Sequence, residues 1–144
     1  MPYHAEIYRY CYAQLRNAQD AEDAAMEAML ALLRLPGWWR SRRDPKLYAL
    51  GVARRKVADI LRKRRTTASQ VDSGTPLPAW DIWGTLWQLD PDHREVLVYR
   101  FMLGLTAEDT GVLMARSAPA IDSLVQRAKA AFRAIHCEAS EVNL

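Results

Sequence analysis

An all-α chain of two small helical domains joined by a flexible linker, the second a helix-turn-helix, is the fold class this sequence predicts. Three observations predict it. Apolar residues recur at helical spacing in nearly every periodic segment, and no convincing apolar–polar alternation marks a strand. The stretch "TTASQVDSGTPLPA", 66–79, is small, polar and proline-containing, the composition of a linker. The 144 residues, half of them apolar, leave room for one ordinary domain or two small ones.

The elements follow in order. A first helix runs from about Tyr3 to Leu15 and stops near "RNAQD". Asp20 then caps a second, Ala21 to Leu35, which Pro36-Gly37 ends. The loop "PGWWRSRRDP" leads into a basic helix, roughly Lys46 to Arg65. On a helical wheel Leu50, Ala53, Val57, Ile60 and Leu61 share one arc, while Arg54, Arg55, Lys56, Arg62 and Lys63 occupy the rest. One edge of that helix requires a core, and the other requires something anionic.

Beyond the linker, "WDIWGTLWQL" forms an amphipathic helix with Trp80, Trp83 and Trp87 at i, i+3 and i+7. That stripe reads as core, with packing between domains or contact with a regulator as the other reading. Asp90-Pro91 opens a helix from about Asp92 to Leu103, and Gly104 closes it. Thr106 caps the next, with Asp109 at capping-box spacing. After a tight turn at Ala115-Arg116, Ser117 caps a last helix from Ala118 to about His136. Ile121, Leu124, Val125, Ala128, Phe132 and Ile135 give it one buried stripe. Two short helices, a turn and a longer helix make the helix-turn-helix candidate. The boundaries are therefore a domain over 1–65, a linker over 66–79, a second domain over 80–136 and a tail over 137–144.

Charge is divided unevenly. Residues 1–34 carry three Arg against five acids, net −2; residues 35–65 carry eleven Lys/Arg against two Asp, net +9; residues 66–144 carry six against ten, net −4. The positive field sits in one short segment, which points to a localised polyanion site. The plainer reading of such a run is a solvated helix face. Two distant cysteines, Cys11 and Cys137, read as reduced cytosolic thiols, and the longest uncharged apolar run, "AMLALL", is too short to span a bilayer. No basic start followed by an apolar stretch marks a signal peptide, so a cytoplasmic protein without membrane insertion is expected. His4, His93 and His136 have no metal-ligand spacing, and no cofactor loop, nucleophile–base set or carboxylate pair for enzymatic chemistry is present.

Four stretches in this order, "DAEDAAMEAMLALLR" (20–34), "YALGVARRKVADILRKRR" (48–65), "LDPDHREVLVYRFMLGLTAEDTGVLMARS" (89–117) and "AIDSLVQRAKAAF" (120–132), resemble sigma factors of the sigma-70 family. The group they resemble is the small two-domain extracytoplasmic-function (ECF) one. The resemblance implies a non-enzymatic protein that binds bacterial core RNA polymerase and promoter DNA, with an anti-sigma factor as a further partner. The first domain would read and open the −10 element, and the second would bind the −35 element.

By the same resemblance, the acidic helix carrying Asp20, Glu22, Asp23 and Glu27 docks on a coiled-coil of the polymerase's large subunit. Carboxylates in a first helical turn suit the helix dipole and would steer a basic partner, although capping and solubility explain them too. Met26 and Met29 stand where the family has Gln and Phe. The −10 surface would comprise Trp38, Trp39, Arg40, Arg42, Arg43, Tyr48, Arg54, Arg55, Lys56, Arg62 and Lys63. Aromatic rings receive unstacked bases, each worth about 1–3 kcal/mol, and Arg adds phosphate and cation–π contacts. Trp39-Arg40 fall where the family captures a flipped base. One of Trp38 and Trp39 is expected to be buried and the other functional. Asp59 lies within a turn of several of these cations and orients them.

The −35 surface would comprise Arg116, Ser117, Ser123, Gln126, Arg127 and Lys129. Asp122 and Leu124 replace the basic residues usual there, and Thr110 replaces an apolar one, so weak −35 binding is expected. The family usually has another helix, and the start of the next, before the point matching Pro2; either the true start lies upstream, or that helix has been lost, and its loss would expose apolar surface on the first two helices. The runner-up is a degenerate sigma-like protein that binds polymerase or a regulator without supporting initiation. A free-standing DNA-binding repressor is the third reading.

Overall fold

The computed structural model describes residues 3–42, 44–66 and 81–142, with backbone alone for 40–42 and 138–142. Helix is the only regular structure among the described residues. The chain divides into two compact units, Met1–Asp72 and Ser73–Leu144. The 66–79 segment assigned to a linker lies outside the described residues, except for Thr66.

In the first unit, α1 (His4–Leu15) ends where Arg16 turns left-handed, at φ 50°, and donates its N–H to Tyr12 O. That reversal lets Asn17, in extended conformation, cap α2 (Ala18–Leu33): its side chain accepts from Asp20 N at 2.8 Å. The sequence reading placed this cap three residues too late. Asp20 is inside the first turn, which leaves its carboxylate for another partner. "GWWRSR" is likewise no loop but a short helix, α3 (Gly37–Arg42), with Trp39 N bonded to Pro36 O. Asp44 then caps α4 (Pro45–Thr66), accepting from Leu47 N at 3.2 Å with Pro45 at the first helical position.

Alanines at 21, 24, 25 and 28 line the buried face of α2, so α1 and α4 both approach it closely. The larger core residues are Ile7, Tyr10, Leu15, Met29, Leu50 and Val57. Ile60 and Leu61, expected in the same arc, are only half-buried near the end of α4.

In the second unit Asp81 caps α5 (Ile82–Gln88) by accepting from Trp83 N at 2.9 Å. Its buried residues are Gly84, Thr85 and Leu86, whereas Trp83 and Trp87 are half-buried, their rings 5.6 Å apart; Trp80 lies outside the described residues. The indole stripe is therefore not the buried face of this helix. α6 (Pro91–Leu97) continues as a π-helical turn, Val98–Met102, before Gly104 reverses the chain at φ 68°. The wider turn buries Val98 and Tyr99 side by side and leaves Phe101 exposed.

Thr106 caps α7 (Ala107–Met114) through Asp109 N, at 3.1 Å. Ala115 is left-handed at φ 55°, and Ser117 Oγ accepts from Ala120 N at 3.2 Å to start α8 (Ala118–Val142), which outruns the expected end at His136. Ile121, Leu124, Val125 and Ala128 are buried as expected, while Phe132 and Ile135 are half-buried.

Candidate functional site

The basic helix α4 carries two populations of cation. Lys46 meets Glu6 of α1 at 3.0 Å, and Lys56 meets Glu27 of α2 at 3.1 Å. Arg64 makes a fork at the far end: Nη2 donates to Asp20 Oδ2 at 2.7 Å and Nη1 to the Leu15 carbonyl at 2.6 Å. These three pairs tie α4 to α1 and α2 along one edge. Arg62 pairs with Asp59 one turn back on α4 itself, as the spacing suggested. Arg55 and Arg65 are exposed and pair with none of the described residues. Arg54 is half-buried and Lys63 exposed.

At the head of α4, Tyr48 packs edge-on against Trp39, with centroids 4.9 Å apart and planes at 68°. α3 brings that indole to Tyr48, and the arrangement has the favourable edge-to-face sense. Trp39 is half-buried and Trp38 is 64% exposed, so neither fills the core. The expectation of one buried indole is corrected: α3 stands on the surface and needs no plug. The side chains of Arg40 and Arg42, and all of Arg43, lie outside the described residues.

The four acids assigned to polymerase docking do not form one patch. Asp20 is held by Arg64, Glu22 meets His4 at 3.1 Å, and Asp23 accepts from Gln19 Nε2 at 3.2 Å. Asp23 and Glu27 instead share a shallow trough on α2 with Met26, Leu30 and Arg34. Met26 and Leu30 are each 45% exposed there. The sequence reading missed Leu30 and Arg34. The i, i+3, i+4, i+7, i+11 spacing of this face was the signal that could have found them.

In the second unit Arg116 is held by Asp92 at 2.8 Å, and Ser117 is occupied as the cap of α8. Ser123, Gln126 and Arg127 are exposed on α8, and Lys129 Nζ lies 5.0 Å from the Phe101 ring centroid. Leu124 is 2% exposed and so belongs to the core; of the two departures noted there, only Asp122 faces outward. Gly111 is tightly constrained. A Cβ on it would meet the Arg116 carbonyl oxygen at 2.4 Å, so the turn between α7 and α8 closes only over a glycine. His136 stacks on Phe132 at 5.6 Å, with Nδ1 3.5 Å from Thr85 Oγ1. Among the described residues no three His, Cys, Asp or Glu side chains gather in a metal-holding group, and no helix is long and apolar enough to cross a membrane.

Comparison with known proteins places this architecture. Residues 1–67 match sigma-70 region 2. The chain is 31% identical over 157 aligned positions to the ECF RNA polymerase sigma factor ShbA of Streptomyces griseus, covering 92% of this chain and 82% of that protein. It is 27% identical to the ECF sigma factor BldN of Streptomyces coelicolor over 88% of this chain, and there it spans only 54% of the relative's length. The chain belongs to the ECF group of the sigma-70 family of RNA polymerase sigma factors. Two solved structures share the fold. They are the sigma factor RpoE with the anti-sigma factor NepR from Bartonella quintana (TM-score 0.74, 16% identity, 93% of this chain and 91% of that one) and CnrH with the cytosolic domain of CnrY (TM-score 0.66, 16% identity, 93% and 82%).

Proposed function

We propose that this chain directs promoter-specific initiation by bacterial core RNA polymerase, with −10 strand capture by the first unit and −35 contact by the second. The Trp39–Tyr48 pair beside the exposed flank of α4 carries the proposal. Strand opening requires a place for unstacked bases next to cations for the backbone, and an aromatic corner at the head of a basic helix offers both. Trp38, 64% exposed on the same short helix, would meet the same strand in this reading.

The trough of Asp23, Met26, Glu27, Leu30 and Arg34 is the polymerase-docking face in this reading. Its apolar floor supplies buried area, and the acids at its rim set orientation toward a basic partner. The α7–turn–α8 arrangement, closed over Gly111, acts as the helix-turn-helix that meets the −35 element. An anti-sigma protein, as NepR is to RpoE, is a third partner in this reading, and the site of action is the cytoplasm. No step of this activity forms or breaks a covalent bond in the protein.

The test is transcription in vitro by core polymerase on a promoter library, with and without the chain. Specific transcripts that fall at least tenfold with Trp39→Ala, while polymerase binding persists, are the expected result. Polymerase binding without any transcript supports a sigma-like protein that does not initiate. Tight duplex binding without polymerase supports a repressor.

A further inference from the structure

We infer that Asp122 reads a base and selects cytosine within the −35 element, an inference that rests on the promoter-binding role proposed for α7 and α8. Burial of Ile121, Leu124, Val125 and Ala128 fixes the rotation of α8. Asp122, Ser123, Gln126 and Arg127 are all exposed as a result, with Asp122 one turn before Gln126 on the same flank. A recognition helix presents its first turns to base edges in the major groove. Here those turns hold Ala118, Pro119, Ala120, Asp122 and Ser123, and no cation. Arg116, the nearest upstream, is drawn back to Asp92. Asp122 itself pairs with none of the described residues, so its acceptors are available.

An ionised carboxylate only accepts hydrogen bonds. In the major groove guanine presents two acceptors and thymine an acceptor beside a methyl group, and both repel or fail to bond it. Adenine offers an amino donor, but its N7 acceptor lies alongside. Cytosine offers the N4 amino donor with no acceptor next to it at that edge, and so suits an Asp best. The same negative charge disfavours nearby phosphates, but that penalty is equal for every sequence. It lowers affinity and leaves the preference intact. Gln126 carries both a donor and an acceptor and matches adenine at a neighbouring step.

The experiment uses holoenzyme assembled from core polymerase and the full chain, transcribing a library randomised across the −35 region, with the productive templates sequenced. The wild-type chain is expected to enrich cytosine at one −35 position by about five- to tenfold, the discrimination of one base-edge hydrogen bond. Asp122→Asn should move the preference at that position toward adenine, and Asp122→Ala should flatten it. Arg127→Gln should lower output across the library without altering which bases are preferred there, as a phosphate contact would. A wild-type library with no preference in this region, or one that Asp122→Ala leaves unchanged, overturns the inference while the promoter-directing role stands. Absence of specific transcripts from any template overturns that role, and the inference with it.

Discussion

Removing the Arg64 guanidinium should loosen the first unit from its α1–α2 corner outward. Arg64→Ala deletes two charge-assisted hydrogen bonds, to the Leu15 carbonyl and to Asp20, from a side chain only 13% exposed. Bonds of this kind contribute about 1.5–3 kcal/mol each when water cannot replace them. Asp20 retains 29% exposure, so water recovers part of that, and we expect a loss of about 2–3 kcal/mol. For a single small core whose total stability is roughly 3–5 kcal/mol, the loss is most of the margin. Amide hydrogen exchange read by mass spectrometry localises the effect. Peptides spanning the end of α1 and the start of α2 should exchange roughly 30- to 150-fold faster, with the second unit unchanged. Arg64→Lys keeps the charge but cannot span both acceptors, and should give about half the loss. Asp20→Asn should cost about 1 kcal/mol and be less than additive with Arg64→Ala. Exchange at that corner changing less than twofold in Arg64→Ala would refute the reasoning.

Gly111→Ala should destabilise the second unit by about 1–2 kcal/mol in a urea titration, because the 2.4 Å contact with the Arg116 backbone outweighs the helical gain of alanine. Thr110→Val should be neutral or stabilising by up to about 1 kcal/mol in the same titration, since the buried Thr110 hydroxyl has no hydrogen-bond partner among the described residues. Burial pushes the Cys11 thiol up to about 12. Below pH ~9 it is protonated in both folded and unfolded chains; above that the unfolded chain loses a proton that the folded one keeps, so stability should fall by about 1.4 kcal/mol per pH unit. Comparing unfolding free energies of wild type and Cys11→Ala between pH ~8 and ~11 isolates that slope. In a salt titration of single-stranded DNA binding, Arg55→Gln should reduce the log–log slope by about 0.7, and Lys56→Gln by less than half of that. Equal effects would show that the Lys56–Glu27 pair does not hold Lys56 from phosphate.

Helical periodicity made most of the fold legible, because core burial and the 3.6-residue repeat act within one segment. Asn17, rather than Asp20, starting α2 was not legible. Both are good capping residues, and the choice depended on Arg16 reversing the chain. The π-helical turn at Val98–Met102 was hidden as well, since an i, i+5 turn leaves no mark of its own in a 3.6-residue pattern. The candidate site was legible in its residue types and not in its pairings. Glu27, Asp20 and Lys56 each read as surface charges awaiting a foreign partner, and the packing of α2 on α4 pairs Lys56 with Glu27 and Asp20 with Arg64. Trp39 and Tyr48 were each identified, but only the short helix α3 shows that they form one corner.

These pairings bear on how affinity and selectivity divide between the two units in the proposed function. Exposed cations without a described partner lie on α4, as at Arg55 and Arg65, and farther along α8, as at Arg127, whereas the first turns of α8 offer an acid and a hydroxyl. Counterion release scales with phosphates neutralised, so the first unit supplies most of the sequence-independent attraction. A second unit with little such attraction gains from its hydrogen bonds mainly at matched bases, because mismatched DNA has no compensating electrostatic grip. The consequence for the isolated second unit is weak binding to any duplex. For the complete chain on polymerase, where the first unit and the enzyme supply local concentration, the same weak contacts are enough to discriminate between promoters.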